Sequence, residues 1–170
     1  MLTPEKQGRH RYFRLANADV AHALEAVVGL AAEAGHRRVQ TGPREPAMRH
    51  ARVCYDHLAG DLGVQMFDHL TRRKLLDYHG ADLAVTKKGR LFCEEFGVDV
   101  AAMSGGKRPM CRACLDWSVR RSHLAGALGA AMLDRIYALK WAQRDKSSRA
   151  VIFAPHGEEK FAEMFGSPSP

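Results

Sequence analysis

The spacing of apolar and polar positions divides the chain into three segments in which helices alternate with short hairpins. In the first segment, alternating positions over residues 9–15 follow a glycine and predict a strand returning from a hairpin. Asn17 is a favourable N-cap, and residues 18–34 carry an apolar stripe that predicts a helix of about four turns. Gly35 ends this helix, and the prolines of TGPREP indicate a linker near residues 38–46.

The second segment is expected to hold two helices, a hairpin and a third helix. The first helix is predicted over residues 47–62, and a short helix continues through Leu70. A turn at residues 79–80 separates two short strands. Thr86 is expected to cap the third helix, which ends before Gly97.

The third segment repeats this theme. SHLAGALGAAMLDRIYALK predicts a long apolar helix, residues 140–145 and 149–154 a hairpin, and PHGEEKFAEMFG a final helix. KGRLFCEEFG is similar to HGEEKFAEMFG, and CYDHLAGDLG to CLDWSVRRSHLAGALG, which indicates an internal repeat.

These patterns predict a mainly α fold with small β-hairpin wings, built from tandem winged-helix-like units. The predicted domains are a wing and dimerisation helix at 1–38, a winged-helix-like unit at 47–100 and a second such unit at 110–166.

Composition narrows the class of protein. The chain has 170 residues, of which 46% are hydrophobic, enough for a packed core. No apolar run is long enough for a membrane helix, and the first residues do not resemble a secretory signal, so we expect a cytoplasmic protein. A net charge of +7 favours a polyanionic partner without identifying one. The motifs of serine hydrolases, P-loop enzymes and zinc proteases are missing from the sequence, so we expect no catalytic residues.

The stretch QGRHRYFRLANADVAHALEAV resembles the ArsR/SmtB family of winged-helix transcription regulators. In that family, a wing that begins with Gly-Arg leads into a dimerisation helix through an Asn or Asp cap. CYDHLAGDLGV and CLDWSVRRSHLAGALGAAML resemble the C-terminal extension of longer family members. The resemblance implies a DNA-binding regulator that acts as a homodimer.

The resemblance also implies which residues contact DNA. Cationic and aromatic side chains of the wing are expected along the minor groove or the adjacent phosphates, namely Arg9, His10, Arg11, Tyr12 and Arg14. A charged edge strand protected against aggregation is the alternative interpretation of this pattern. The apolar stripe of residues 18–34 is expected to pair two subunits.

Family members carry a recognition helix before the wing, whereas only residues 1–7 precede it here. The resemblance therefore implies a chain without that helix, which leaves sequence-specific DNA binding open. A dimeric effector- or metal-sensing module without such binding is the alternative function.

The cysteines and nearby histidines suggest a transition-metal site. Thiolates and imidazoles suit a zinc-like ion or copper, and the candidate ligands are Cys54, His57, Cys114 and His123. On the predicted helix, only the first two face the same way, at i and i+3.

Two alternatives to a metal site remain open. The cysteines can be buried small apolar residues, with Asp56 and Asp116 paired to arginines, for which the candidates are Arg49, Arg52, Arg120 and Arg121. Separately, CRAC at Cys111–Cys114 is half of a zinc motif, which Cys93 and dispersed histidines would have to complete, or a thiol redox switch.

Overall fold

The computed structural model describes residues 2–7, 10–17, 19–20, 23–24, 27, 42–79, 82–106 and 108–166. The chain divides into two compact units, residues 1–40 and residues 41–170. The finer division of the second unit at residues 47–100 and 110–166 stays a prediction.

The first unit contains the predicted hairpin. Strand β1 (Leu2–Gln7) pairs antiparallel with β2 (His10–Leu15). The Asn17 side-chain oxygen accepts a hydrogen bond of 3.0 Å from the backbone N–H of Val20, which confirms the predicted N-cap. Helical conformation follows at Asp19, Val20, Ala23, Leu24 and Val27, and the rest of the predicted helix lies outside the described residues.

The second unit begins with helix α1 (Pro46–His50). Its first half continues through β3 (Arg52–Cys54), β4 (His57–Ala59), α2 (Asp61–Arg72), β5 (Leu76–His79), β6 (Asp82–Val85) and α3 (Lys87–Phe96). Its second half contains β7 (Arg112–Leu115), β8 (Ser122–Ala125), α4 (Gly126–Ala138), β9 (Ala142–Arg144), β10 (Val151–Phe153) and α5 (Pro155–Phe165).

The two halves of the second unit repeat one order: hairpin, helix, hairpin, helix. Details of the backbone repeat as well. Lys74 and Lys140, just after α2 and α4, have positive φ values of 55° and 58°. The next residue in each half donates a backbone hydrogen bond into the end of its helix, at 2.8 Å and 3.1 Å. The sequence similarity between the halves therefore has a structural counterpart.

The expectation of a mainly α fold built from tandem winged-helix-like units is wrong. In the described part of the chain, ten strands form five two-stranded antiparallel sheets beside helices α1 to α5 of the second unit. The helix predicted over residues 47–62 is in fact α1, the β3–β4 hairpin and the start of α2, and the long helix predicted from Ser122 begins with strand β8. Strands of three or four residues are too short to show a period-2 pattern, so helical spacing dominated the prediction.

The core of the second unit lies between its helices and hairpins. It is built from aliphatic and aromatic side chains, with Leu70, Phe96, Trp141, Phe161 and Phe165 among the largest. Helix α2 packs against β8, and α4 packs against β4. The β7–β8 hairpin is therefore covered by a helix of the first half, and the β3–β4 hairpin by a helix of the second half. Among the helices described, none has the length and apolarity to cross a membrane.

Candidate metal centre and basic hairpin

Two hairpins of the second unit bring the four candidate ligands together. Cys54 lies directly opposite His57 across β3 and β4, and Cys114 lies opposite His123 across β7 and β8. Residues opposite each other in an antiparallel pair project to the same face. One ligand atom from each residue can be chosen so that all four atoms lie within 4.8 Å of one another. The four predicted ligands thus lie close together, although Cys54 and His57 lie on paired strands and not on one helix.

Two helical glycines allow the hairpins to approach this closely. A Cβ atom at Gly63 would lie 2.6 Å from the carbonyl oxygen of Leu58 and 3.6 Å from Cβ of His123. A Cβ atom at Gly129 would lie 3.3 Å from Cβ of His57. Helices α2 and α4 can therefore each pack against the histidine of the other half, because neither helix has a side chain at that position.

The site is almost closed to solvent. His57, Cys114 and His123 are 3%, 6% and 1% exposed, whereas Cys54 is partly exposed. Nε2 of His57 and both ring nitrogens of His123 are buried without a hydrogen-bond partner. Buried polar atoms in proteins are nearly always paired, and an ion bound by one nitrogen of each ring would satisfy two of these three.

The two thiols interact directly. The contact with Cys114 lowers the pKa of Cys54, and both histidines contribute in the same direction. The contact with Cys54, together with burial, raises the pKa of Cys114. A thiolate at Cys54 that accepts a hydrogen bond from the Cys114 thiol accounts for both directions.

An aspartate orients His57. Oδ1 of Asp56 lies 3.2 Å from Nδ1 of His57, which leaves Nε2 directed into the site. Arg108 donates hydrogen bonds of 2.5 and 2.9 Å to the two oxygens of Asp56. The hydrogen bonds from Arg108 hold the pKa of Asp56 below its usual range. Arg108 lies between α3 and β7 and belongs to no motif, so the sequence offered no signal for its pairing with Asp56.

The second aspartate, Asp116, is fully buried beside His123. Its oxygens accept hydrogen bonds from the Arg52 guanidinium, the backbone N–H of Gly60 and the hydroxyl of Ser118. One Asp116 oxygen lies 3.7 Å from Nδ1 of His123, too far for a hydrogen bond. Burial alone would raise the pKa of Asp116, but these hydrogen bonds hold it below its usual range. Of the predicted arginine partners, the structure selects Arg52.

The remaining cysteines, Cys93 and Cys111, lie outside the group formed by Cys54, His57, Cys114 and His123. Burial raises the pKa of Cys111 to about 12 and that of Cys93 to about 11. Both thiols are therefore protonated at neutral pH and behave as small apolar side chains. The CRAC motif contributes only its second cysteine, Cys114, to the group.

The predicted DNA-binding residues occupy β2 and the turn before it. Arg9 lies outside the described residues, and His10 is described only through its backbone. Arg11 and Arg14 are exposed, and Tyr12 is half-buried.

The hairpin register separates these side chains onto two faces. Lys6 lies directly opposite Arg11 on one face. On the other face, Arg14 donates a hydrogen bond of 2.6 Å to the carboxylate of Glu5. One face therefore concentrates positive charge, whereas the other neutralises it.

Comparison with known proteins adds one relative. The chain is 37% identical over 161 residues to YdfF of Bacillus subtilis (strain 168), an uncharacterized HTH-type transcriptional regulator. The matched region covers 95% of this chain and 71% of the relative. No family model matches the chain, and no solved structure matches it.

Proposed function

This chain belongs to the family of HTH-type transcriptional regulators, and we propose that it acts on DNA as a homodimer of the ArsR/SmtB type. The observation that carries the proposal is 37% identity to such a regulator across 95% of the chain. A regulator of this kind works where chromosomal DNA is, which for a bacterial protein is the cytoplasm. Its action is binding rather than catalysis.

The basic hairpin is the surface we assign to DNA. Lys6 and Arg11 are exposed cations opposite each other in β1 and β2. Like charges in directly opposite positions destabilise a strand pair. A nearby phosphate would relieve that repulsion and release counterions, so this face is suited to the DNA backbone.

The opposite face of the hairpin has a secondary role. Arg14 is already paired with Glu5, and a carboxylate close to DNA repels phosphates. Tyr12 lies on this face by register. We therefore rank Lys6 and Arg11 above Arg14 as DNA contacts. Arg9 precedes β2 and completes the predicted set.

The apolar stripe after the hairpin is the surface we assign to dimerisation. Leu24 and Val27 adopt helical conformation and are 38% and 60% exposed. They lie three residues apart, on one side of a helix. Burying such side chains against a second copy removes apolar area from water.

The test is DNA binding by the full chain as a function of salt. The probe is a fluorescent duplex from the region upstream of the chain's own gene, compared with a shuffled duplex of equal length. We expect affinity to fall steeply with salt, and Arg11→Ala to reduce the logarithmic salt slope by about 1. Arg90→Ala removes the same charge from an exposed site on α3 and serves as the matched control.

Two results contradict the proposal. Equal slopes for Arg11→Ala and Arg90→Ala would remove the hairpin as the DNA surface. A dimer with no salt-dependent affinity for either duplex would instead support the second function, a dimeric effector- or metal-sensing module. The Cys/His group is the observation that favours that second function.

A further inference from the structure

We propose that Cys54, His57, Cys114 and His123 bind one zinc ion and thereby fasten the β3–β4 hairpin to the β7–β8 hairpin. This inference goes beyond transcription regulation, and it does not depend on DNA contact by the basic hairpin. It rests on the placement of four side chains within the second unit.

The geometry is close to what zinc requires. Zn–S bonds of about 2.3 Å and Zn–N bonds of about 2.0 Å give a tetrahedron with edges of about 3.3 to 3.8 Å. All four ligand atoms already lie within 4.8 Å of one another. Each hairpin supplies one sulfur and one nitrogen from directly opposite positions. Small inward rotations of the side chains are enough to close the tetrahedron around an ion.

The orphan nitrogens give an independent reason for an ion. Nε2 of His57 and both ring nitrogens of His123 have no hydrogen-bond partner and no access to water. A ring nitrogen coordinated to a metal is satisfied in the same way as one that makes a hydrogen bond. Apolar packing alone does not explain two histidines whose ring centroids lie 5.1 Å apart inside the core.

The surrounding residues match those found around metal ligands. Metal-binding histidines commonly use their second ring nitrogen to bond a carboxylate, which fixes the ring orientation. Asp56 occupies that place for His57, and Arg108 in turn holds Asp56. The negative charge of Asp116 is already balanced by Arg52. Two thiolates therefore remain to neutralise a divalent ion, and the loaded site carries no net charge.

The donor set identifies the class of metal. Two sulfurs and two imidazole nitrogens in a tetrahedral arrangement suit zinc, whereas calcium and magnesium require oxygen ligands. Four protein ligands leave no open position, which is typical of a structural zinc site and not of a catalytic one. The partial exposure of Cys54 supplies the side from which an ion can reach the site.

The first measurement uses the full wild-type chain. Protein purified without chelator is analysed for metals, and chelator-treated protein is then titrated with Co²⁺ and afterwards with Zn²⁺. We expect one zinc per chain, cobalt bands typical of tetrahedral thiolate coordination, and loss of those bands when zinc displaces cobalt. We also expect zinc, but not magnesium, to raise the melting temperature, because a metal that binds only the folded chain stabilises it.

Variants separate the proposed ligands from other buried cysteines. Cys54→Ser and Cys114→Ser are expected to weaken cobalt binding at least about 100-fold, because each removes a thiolate. Cys111→Ala is the matched control: it is a buried cysteine three residues from Cys114 and should bind cobalt as wild type does. His57→Cys replaces one zinc ligand by another, and should retain zinc while intensifying the thiolate-to-cobalt bands.

Each outcome decides the proposal. Wild-type protein that contains no zinc and gives no thiolate-to-cobalt bands overturns it, whatever the variants do. Equal metal loss in Cys111→Ala and Cys114→Ser also overturns it, because the effect would then be general damage to the core. If a serine variant fails to fold, zinc retention in His57→Cys supports the assigned ligand set, and loss of zinc there contradicts it.

Discussion

Arg52 donates hydrogen bonds of 2.7 Å to both carboxylate oxygens of Asp116, which joins the first hairpin of one half to the first hairpin of the other. The two side chains are 2% and 0% exposed. The guanidinium also donates to the carbonyl of Met48 and the hydroxyl of Ser118, at 3.0 Å each. Its carbon lies 5.3 Å from the centroid of the Trp117 ring. Both charges are therefore compensated inside the fold.

Removing one member of this pair should destabilise the protein strongly. Asp116→Ala leaves the buried charge of Arg52 without its counter-ion and the backbone N–H of Gly60 without its acceptor. We expect a loss of about 3 to 5 kcal/mol in the free energy of unfolding, measured by urea denaturation. The double variant Arg52→Met/Asp116→Ala should lose clearly less than the sum of the single variants. Strictly additive losses would show that the two residues are not coupled.

Glu5 is expected to weaken DNA binding. It forms an exposed ion pair with Arg14, so its loss should have little effect on stability. Glu5→Gln removes a negative charge from the hairpin that we assign to DNA and removes the ion pair between Glu5 and Arg14. Affinity for the fluorescent duplex should rise by about 2- to 10-fold at low salt, and the gain should shrink at high salt. Glu95→Gln on α3 supplies a control of the same charge change. An equal gain in both variants would mean that only net charge matters.

The exposed apolar residues after the hairpin should control the oligomeric state. Val27→Glu places a charge on the proposed dimer surface, where burial would require its desolvation. We expect the variant to sediment as a monomer at concentrations where the wild type is a dimer. Val27→Leu keeps an apolar side chain and should remain dimeric. A monomeric wild type at micromolar concentration, or a dimeric Val27→Glu, would contradict this assignment.

His69 should make the protein less stable in acid. Burial, followed by the nearby Arg73 and Arg72, lowers the pKa of His69 below its usual value. The other charged side chains around the groove beside it are Lys88, Glu95, Lys160 and Glu163. Because the pKa of His69 is lower in the folded chain, the unfolded chain binds the proton first when the pH falls below about 6.5. The free energy of unfolding therefore declines with falling pH until the pH has passed the folded-state pKa.

The measurement for His69 is the urea midpoint at about pH 7.5 and about pH 5.5. Other groups titrate over the same interval, so the informative quantity is the difference between wild type and His69→Gln. On acidification, the urea concentration at the midpoint should fall further for the wild type than for His69→Gln. Equal losses would show that the environment of His69 does not disfavour its charged form.

The sequence predicted those elements that carry strong local chemistry. Thr86 caps α3 through a hydrogen bond of 3.0 Å from the N–H of Gly89, as its position before the helix indicates. Gly97 ends that helix with a φ of 86°. The β5–β6 and β9–β10 hairpins also lie where turn residues and alternating positions predicted them.

The β3–β4 and β7–β8 hairpins were missed for physical reasons. Their turns contain Tyr55 and Arg120 at positive φ, residue types that give no turn signal. The strands have three or four residues, so a short segment such as His123–Ala125 is equally compatible with the start of a helix. Ligand types and their repetition identified the four members of the metal group. The four side chains come together because they are paired across strands. A prediction based on spacing along a helix contains no such pairs.

Gly129 should be the least replaceable glycine near the candidate metal centre. A Cβ atom there would overlap the carbonyl oxygen of Leu124 and press against Cβ of His57 at 3.3 Å. Alanine normally favours a helix over glycine by about 1 kcal/mol, so a stabilised variant would show that this contact relaxes freely. We expect instead that Gly129→Ala lowers the free energy of unfolding by about 1 to 3 kcal/mol, because α4 must move away from Leu124 of β8 and from His57 of β4. Gly106→Ala is the control: its Cβ would meet nothing closer than 3.7 Å, and its stability should equal or slightly exceed that of the wild type.

Urea denaturation of both variants, with and without added zinc, measures the effect. A loss in Gly129→Ala that persists without zinc identifies steric overlap between helix and hairpin as its cause, whereas a loss seen only with zinc places the cause in the metal group.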